Sequence, residues 1–165
     1  MTDFAVRFPN PVPLHLPLRA AHARPDVPAL LQTAEDGQYR ELQHAFRPGG
    51  GIASADEVTN LLRWRTDQPI SVLARWIVDH RVLSFDWQSL TMLPLFQFDL
   101  STMTLREPVS QVIRELVPAL GGWDVALWFA RPNAWLEDAS PIVAIHTDAR
   151  AVYDAARADR FVARG

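Results

Sequence analysis

Hydrophobic residues recur at helical spacing soon after residue 50. Ser54 and Glu57 have the S-x-x-E spacing of a capping box, in which each residue hydrogen-bonds the backbone of the other at a helix N-terminus. Val58, Leu61 and Leu62 follow and fall on one face of a helix. The pattern predicts a short helix that begins directly after the box and buries these three side chains.

A second helix is predicted after the sequence TDQP, residues 66–69. Proline suits the first position of a helix, where an amide N–H would have no intrahelical partner, so Pro69 is expected to begin it. The predicted buried stripe consists of Ile70, Leu73, Ala74 and Ile77. Two short helices joined by a tight turn are the skeleton of a helix-turn-helix.

The hydrophobic period then changes from 3.6 residues to two. In residues 82–87 the apolar side chains of Leu83, Phe85 and Trp87 alternate with other residues, which predicts a strand with one apolar face. Residues 91–98 form the predicted returning strand. Pro94 has no N–H to donate to a neighbouring strand, which favours an edge position. A hairpin directly after a helix-turn-helix forms a wing.

Helical spacing returns from Pro108 onward. One helix is predicted to bury Val109, Val112, Ile113, Leu116 and Leu120. Trp123 to Ala130 form a short helix that is apolar on most sides, and a structured loop follows over residues 131–141. Thr147 and Asp148 are expected to cap a last helix that extends to about Phe161, with Ala151, Val152, Ala155 and Ala156 facing inward.

The chain before residue 49 is divided by prolines and glycines. Six prolines within residues 1–28 exclude a continuous helix there and predict an extended leader. Residues 29–46 are compatible with a helix on either side of Gly37, and RPGGG at 47–51 breaks the pattern. The predicted division is a leader with a possible short helix at 1–48, a winged helix-turn-helix-like domain at 49–99 and a helical domain at 100–165.

Composition narrows the classes of protein that this chain can represent. Hydrophobic residues make up 48%, which is enough for a core. There are no cysteines, so disulfides and thiolate metal sites are excluded. No apolar run is long enough to cross a bilayer, and the first residues do not resemble a signal peptide. We therefore expect a cytoplasmic protein that does not insert into membranes.

Motifs that would indicate catalysis or cofactor binding do not occur in the sequence. There is no phosphate-binding P-loop, no dinucleotide-binding glycine pattern and no serine nucleophile elbow. The five histidines stand singly, without a partner one helical turn away, so no metal ligand set is expected. We predict no enzymatic activity, no cofactor and no metal. An enzyme without a recognisable motif is the competing interpretation.

The predicted helix-turn-helix and wing carry candidate DNA-binding residues. The second helix would enter the major groove, with Ser71 and Arg75 off the buried stripe as candidates for base contacts. Phosphate contacts would come from Arg63, Arg65 and Arg81. Residues 51–99 nevertheless contain four arginines against six acidic residues. A helix-turn-helix that only packs or dimerises is therefore the alternative.

The loop that contains Trp135 and Leu136 is the other candidate site. The two residues could close the core between the last two helices, because an aromatic side chain buries a large apolar area. Alternatively Trp135 is an anchor for a partner protein. The tail offers Arg157, Arg160 and Arg164 around Phe161, either as a solvated basic end or as a peptide that reaches into a partner's anionic cleft.

Two stretches resemble known families. Residues 50–99 resemble the small winged helix-turn-helix of the excisionase and MerR type. The second stretch, VIRELVPALGGWDVALWFARPNAWLEDASPI together with the alanine-rich last helix, resembles the toxin-binding domain of the Xre/MbcA/ParS antitoxin family. The shared features in this chain are Trp128, Phe129, Pro132, Asn133, Leu136, Pro141, Ile142 and the pair Ala155 and Ala156.

The resemblance implies a mainly α fold with a small β-hairpin wing, in which a winged helix-turn-helix precedes a C-terminal helical toxin-binding-like domain. It implies an antitoxin-like regulator that binds a RES-domain toxin, an enzyme that acts on NAD, through its C-terminal helices. It also implies a homodimer that binds double-stranded DNA. The alternative is a stand-alone DNA-binding transcriptional regulator, or a plasmid or phage accessory factor, without a toxin partner.

Overall fold

The computed structural model describes residues 27–164. Within them the chain is mainly helical with a small antiparallel sheet. The helices are α1 (Val27–Phe46), α2 (Ala55–Leu62), α3 (Pro69–Val78), α4 (Glu107–Leu116), α5 (Gly122–Ala130), α6 (Pro141–Ala144) and α7 (Ala149–Arg164). The strands are β1 (Ile52–Ser54), β2 (Phe85–Trp87), β3 (Leu90–Pro94), β4 (Phe98–Asp99) and β5 (Thr104–Leu105). The expected proline-punctuated leader lies almost entirely outside the described residues.

Helix α1 is one continuous helix of 20 residues, and not two helices separated at Gly37. A glycine inside a helix costs only about 1 kcal/mol relative to alanine, so burial elsewhere along the helix outweighs it. That burial comes from Leu42 and Phe46, whose side chains are fully enclosed in the core. Packing of the last turns therefore stabilises a helix that continues through Gly37.

The RPGGG segment is a packed turn. Residues 47–49 form a single 3₁₀ turn, and Gly50 and Gly51 follow with φ of 103° and 83°, which glycine adopts without strain. A Cβ atom on Gly49 would lie 2.5 Å from the Cβ of Phe96. The backbone of the turn thus lies directly against Phe96, two residues after the end of β3, and only glycine allows this approach.

The predicted capping box is confirmed. The Ser54 hydroxyl accepts a hydrogen bond from the Glu57 backbone N–H at 3.3 Å, and the Glu57 carboxylate accepts one from the Ser54 backbone N–H at 2.7 Å. Helix α2 follows and buries Val58 and Leu62 completely, whereas Leu61 stays exposed. The box satisfies amide groups that would otherwise lack partners at the start of the helix.

Helix α3 begins at Pro69 as predicted, but it is rotated relative to the predicted stripe. Leu73 is buried, whereas Ile70 and Ala74 are exposed, so the prediction for these two residues was wrong. Trp76 replaces them and packs on Phe98 with ring centroids 6.2 Å apart. The larger apolar area of the indole decides which face of the helix turns inward.

The predicted hairpin is confirmed as β2 and β3, which pair antiparallel with Asp86 opposite Thr91. The turn between the strands consists of Gln88 and Ser89, with φ of 47° and 66°, the positive values of a tight hairpin turn. The prediction that Pro94 marks an edge strand was wrong. The sheet order is β1-β3-β2, so β3 is the central strand.

Strand β1, which the sequence pattern did not indicate, accounts for that difference. It pairs antiparallel with β3, with Ala53 opposite Leu93. Pro94 is the last residue of β3 and lies opposite Ile52, and the next amide, that of Leu95, donates to Gly51 O at 2.8 Å. Proline is therefore accommodated in a central strand because it lies at the end of the strand.

The rear half largely follows its hydrophobic pattern. Helix α4 buries Val109, Val112, Ile113 and Leu116 and packs against α7, which buries Val152, Ala155 and Ala156. The Asp148 carboxylate accepts a hydrogen bond from the Ala151 amide at 2.9 Å, which confirms the predicted cap. Small residues on the inner face of α7 allow the two helices to approach closely.

Buried residues form two hydrophobic clusters. The larger combines α1 with α4 to α7 and also includes Leu83, Phe85, Met92 and Phe96, so it extends across residue 99. The smaller one consists of Ala53, Val58, Leu62, Leu73, Val82, Leu93, Phe98 and Met103. Strand β3 contributes to both clusters, with Met92 in the larger and Leu93 in the smaller, and so positions the front helices relative to the rear ones.

A buried glutamine holds the strands in place between these clusters. The side-chain amide of Gln97 donates to Leu83 O at 2.9 Å and to Pro94 O at 2.8 Å, and its carbonyl oxygen accepts from the Leu83 amide at 2.7 Å. Each polar atom of this buried side chain thus has a partner. The link ties the chain before β2 to the chain after β3.

Candidate partner-binding surface

The loop between α5 and α6 is a compact, hydrogen-bonded structure. The Asn133 side-chain oxygen accepts from the Trp135 amide at 2.9 Å, and its backbone oxygen accepts from the amides of Leu136 and Asp138. Glu137 and Asp138 have φ of 55° and 62°, which reverses the chain direction. Pro132 cannot continue α5, so the helix ends and the loop is formed around Asn133.

Trp135 and Leu136 point to opposite sides of this loop. The side chain of Leu136 is only 8% exposed and joins the larger hydrophobic cluster, whereas that of Trp135 is 62% exposed. The hypothesis that both residues close the core is therefore correct for Leu136 and wrong for Trp135. Leu136 lies in the interior, where a partner protein could not contact most of it.

The Asp159 side chain on α7 holds the loop and its exposed indole. One carboxylate oxygen accepts from the Trp128 indole N–H at 2.7 Å and from the side-chain amide N–H of Asn133 at 2.7 Å. The other accepts from the Trp135 indole N–H at 2.9 Å. Three donors from two segments thus converge on one carboxylate, and charge-assisted hydrogen bonds of this kind are stronger than neutral ones.

Asp159 is not among the predicted site residues, although the sequence contains a signal for it. Asp159 follows Val152, Ala155 and Ala156 at helical spacing, so it extends the buried face of α7. A carboxylate on the inner face of an amphipathic helix needs donors. The indole N–H groups of nearby tryptophans could have supplied them, and that combination predicts the contact.

A groove of about 440 Å³ lies beside Trp135. Its walls consist of Leu120, Asp124, Leu127, Trp128, Arg131, Pro132, Asn133, Ala134, Trp135 and Asp159. Arg131, one of these lining residues, makes two hydrogen bonds of 2.9 and 3.0 Å to the Glu41 carboxylate on α1. Hydrogen bonding from Arg131 lowers the pKa of Glu41 below its ordinary value. Two of the lining residues, Arg131 and Trp135, are therefore held in position by contacts with carboxylates.

The end of α7 presents the remaining candidate residues. Phe161 and its neighbour Val162 are exposed, and so are Arg157 and Arg164. Arg160 is different because its guanidinium forms an ion pair with Glu115 on α4 at 3.1 Å and is partly buried. The predicted basic tail is thus a helical end with an apolar patch and two arginines free of ion pairs among the described residues.

The five predicted DNA-binding residues are placed as follows. Arg63 and Arg75 are exposed and form no ion pair within residues 27–164, and Ser71 lies one turn before Arg75 on the exposed side of α3. Arg65 donates to Thr102 O at 3.2 Å, and Arg81 lies 3.8 Å from the Glu107 carboxylate. Ser71, Arg63 and Arg75 thus remain available to bind another molecule without breaking a contact.

The exposed side of α3 is less polar than a groove-reading helix requires. Ile70, Ala74 and Val78 lie on it at intervals of one turn beside Ser71 and Arg75. Trp64, in the turn before α3, is 95% exposed. An apolar surface of this kind is typical of a protein contact.

Other features bear on catalysis and membrane insertion. Among residues 27–164 no three histidine or acidic side chains stand close enough together to hold a metal ion. No helix within that range has the length and apolar character needed to cross a lipid bilayer.

A second groove, of about 880 Å³, lies between the 47–50 turn and α6 and is lined mostly by apolar groups with Arg47, Arg106 and His146.

Comparison of the chain with protein-family models, with curated proteins and with solved structures found no match.

Proposed function

We propose that this chain is an antitoxin-like regulatory protein without catalytic activity, and that it binds a partner protein through its C-terminal surface. The observation that carries the proposal is the tryptophan at position 135, which is largely exposed while its indole N–H is bound to Asp159. A rigid aromatic side chain on a surface is typical of a binding hot spot. We define the partner surface as Trp135, the groove beside it, and Phe161 and Val162.

The hydrogen bond to Asp159 favours binding because it reduces the entropy lost on association. Immobilising a side chain at an interface costs roughly 0.5–1.5 kcal/mol, and a side chain that is already held avoids much of that cost. Trp135 has its polar atom satisfied, so a partner needs to cover only apolar area. Leu136 supports the loop from inside and contributes indirectly.

The charges around the partner surface indicate which arginines could contact an anionic cleft. Arg157 and Arg164 are exposed and form no ion pair among the described residues, so they are the candidates for carboxylate or phosphate contacts. Arg160 would first have to leave Glu115. The resemblance to the Xre/MbcA/ParS family favours a RES-domain-type toxin as the partner.

The test is co-purification of the full chain with the product of the neighbouring reading frame. We expect Trp135→Ala to weaken binding at least roughly thirtyfold, the loss of about 2 kcal/mol that marks a hot spot. Trp64→Ala is the matched control because Trp64 is also an exposed tryptophan but lies on the front half of the chain. A deletion of residues 161–165 tests the helix end without removing the buried Ala156.

The proposal predicts that Trp135→Ala and the short deletion reduce binding while Trp64→Ala does not. Equal binding by all variants, or an equal loss in Trp64→Ala and Trp135→Ala, would contradict the assignment of the surface. Absence of any complex with the product of either neighbouring frame would contradict the antitoxin-like role.

DNA binding is the second candidate function. It is supported by the chain order β1, α2, α3, β2, β3 and by the placement of β1 beside β3, since a winged helix-turn-helix has the same order of elements. It is also supported by Ser71 and Arg75, which are exposed one turn apart on α3. The exposed apolar residues beside them, Ile70, Ala74 and Val78, weigh against DNA binding. The salt dependence of binding to DNA tests this function.

A further inference from the structure

The outward face of α3 carries an apolar stripe that no described residue covers. The stripe consists of Ile70, Ala74 and Val78, spaced by four residues, and the side chains of Ile70 and Val78 are 72% and 74% exposed. Trp64 precedes the helix and is almost fully exposed. Large contiguous apolar patches are uncommon on the surfaces of monomeric proteins and often mark interaction sites.

The arrangement of the stripe is self-complementary. Ala74 is at its centre, and a large aliphatic residue lies four positions away on each side. If two such helices pack antiparallel about a two-fold axis at Ala74, each Ile70 meets Val78 of the second copy. A small residue at the crossing point lets helix axes approach to roughly 8–10 Å, and interlocking rows at four-residue spacing are the commonest mode of helix packing.

We propose that α3 packs against α3 of a second copy of this chain, with the two-fold axis at Ala74. A two-fold interface uses the same surface patch on both copies, which requires such self-complementarity. The antiparallel arrangement also places the C-terminal end of one α3 beside the turn that carries Trp64 in the other. Trp64 can then cover apolar groups at that end.

The charges at the two ends of α3 fit the same arrangement. Asp67 lies before the helix and Arg81 after it, at equal distances of seven residues from Ala74. Antiparallel packing brings Asp67 of one copy toward Arg81 of the other. Arg81 is held only loosely at 3.8 Å from Glu107, and both of these side chains are partly or largely exposed. Opposite charges at both ends of the interface favour the antiparallel orientation.

This dimer excludes DNA reading by the same face, because Ser71 and Arg75 flank the stripe. It leaves Trp135 and the end of α7 uninvolved, so it does not rest on the proposed partner surface. The dimer through α3 and the partner surface at Trp135 can therefore be refuted independently of each other. Trp64→Ala is expected to weaken the dimer and to leave partner binding intact, and Trp135→Ala the reverse.

The first test is the molar mass of the full chain in solution. Light scattering on a sizing column should give twice the 18.6 kDa of one chain at micromolar concentrations. Ala74→Arg should shift the mass to that of one chain, because it places a charge at the centre of the interface. Ala74 is exposed, so the fold tolerates the change. Gln111→Arg, at an exposed position on α4, is the matched control.

The second test places a thiol on the two-fold axis. Subtracting two helix radii of about 2.3 Å from an axial separation of roughly 8–10 Å leaves about 3–5 Å between the two Ala74 Cα atoms, which overlaps the range that a disulfide bridges. The chain contains no cysteine, so Ala74→Cys introduces its single thiol. We expect mild oxidation to link Ala74→Cys into a covalent dimer and to leave Gln111→Cys unlinked.

Two results would overturn the proposal. One is a single-chain mass for the unaltered protein throughout the micromolar range. The other is a dimer that Ala74→Arg leaves intact and that Ala74→Cys does not cross-link, since such a dimer would use another surface.

Discussion

The indole nitrogen of Trp135 lies 2.9 Å from a carboxylate oxygen of Asp159, 24 residues later in the chain. The same carboxylate also binds Trp128 and Asn133, so one acidic residue of α7 holds the end of α5, the loop and an exposed aromatic ring together. A surface tryptophan that is fixed in this way is a stable feature of the fold.

Asp159→Ala should lower the free energy of unfolding by about 1–3 kcal/mol, because it leaves three donors without their acceptor. Urea unfolding monitored by circular dichroism measures the change. Asp154→Ala is the control on the same helix, since Asp154 forms only an exposed pair with Arg150 at 2.9 Å. Such pairs contribute at most about 1 kcal/mol. If both variants lower the free energy of unfolding by the same amount, the three hydrogen bonds to Asp159 do not stabilise the fold more than an exposed ion pair does.

Two glycine-to-alanine substitutions should have opposite effects on stability. A Cβ on Gly122, the first residue of α5, would lie 2.0 Å from Ser84 O, so Gly122→Ala must shift the backbone and should cost roughly 1–3 kcal/mol. Gly37 has open space around it in the middle of α1, so Gly37→Ala should stabilise the protein by about 0.5–1 kcal/mol. Thermal unfolding of the two variants checks both signs. A Gly122→Ala variant as stable as the parent protein would contradict the close contact between α5 and the chain before β2.

The ion pair between Glu41 and Arg131 should make a small, pH-dependent contribution to stability. Hydrogen bonding from Arg131 lowers the pKa of Glu41 in the folded state. The contribution is therefore present above the unfolded pKa of about 4.3 and is lost as the pH falls through the lower folded pKa. Both side chains are more than 40% exposed, so it should stay below about 1 kcal/mol. Unfolding of Glu41→Gln and of the parent protein between roughly pH 6 and pH 3 tests this, and a constant difference across that range would contradict it.

If α3 reads DNA, Arg75→Ala should weaken binding to the DNA upstream of its own gene by roughly 1–3 kcal/mol for a base contact. Affinity should also fall steeply with added salt, because bound phosphates release counterions. Titration of labelled DNA at several salt concentrations measures both effects. Arg150→Ala, which changes an exposed arginine of α7, is the control. An affinity that does not change with salt, or no binding by the parent protein, would remove the DNA hypothesis and leave α3 to the dimer.

Features that depend on a few neighbouring residues could be predicted from the sequence. The Ser54 and Glu57 box, the start of α3 at Pro69 and the hairpin of β2 and β3 all follow from hydrogen bonds or backbone angles within a short stretch. Four residues of the stripe predicted after Pro108, namely Val109, Val112, Ile113 and Leu116, are buried on α4, because one side of that helix is strongly apolar. The fifth, Leu120, lies beyond the end of the helix and is only partly buried. In each case the physical cause lies inside the element itself.

Features that depend on distant segments could not be predicted in the same way. Pro94 lies in a central strand because β1, some forty residues earlier, pairs with β3. Ile70 is exposed because Trp76, on another side of α3, packs against Phe98 and turns that side of the helix inward. For these residues the local pattern is compatible with either a buried or an exposed position. The distant segment that packs against them decides which position is adopted.

In the candidate site, local sequence determines the position of the loop, and tertiary contacts determine which of two adjacent residues, Trp135 or Leu136, is buried. Pattern alone identifies the loop after α5, because Pro132 ends the helix and Asn133 favours a turn. It does not distinguish Trp135 from Leu136, since both are large and apolar. Asp159 makes the difference: it offers an acceptor for the Trp135 indole N–H at the surface of α7, and Leu136, which has no polar atom in its side chain, is left to fill the core.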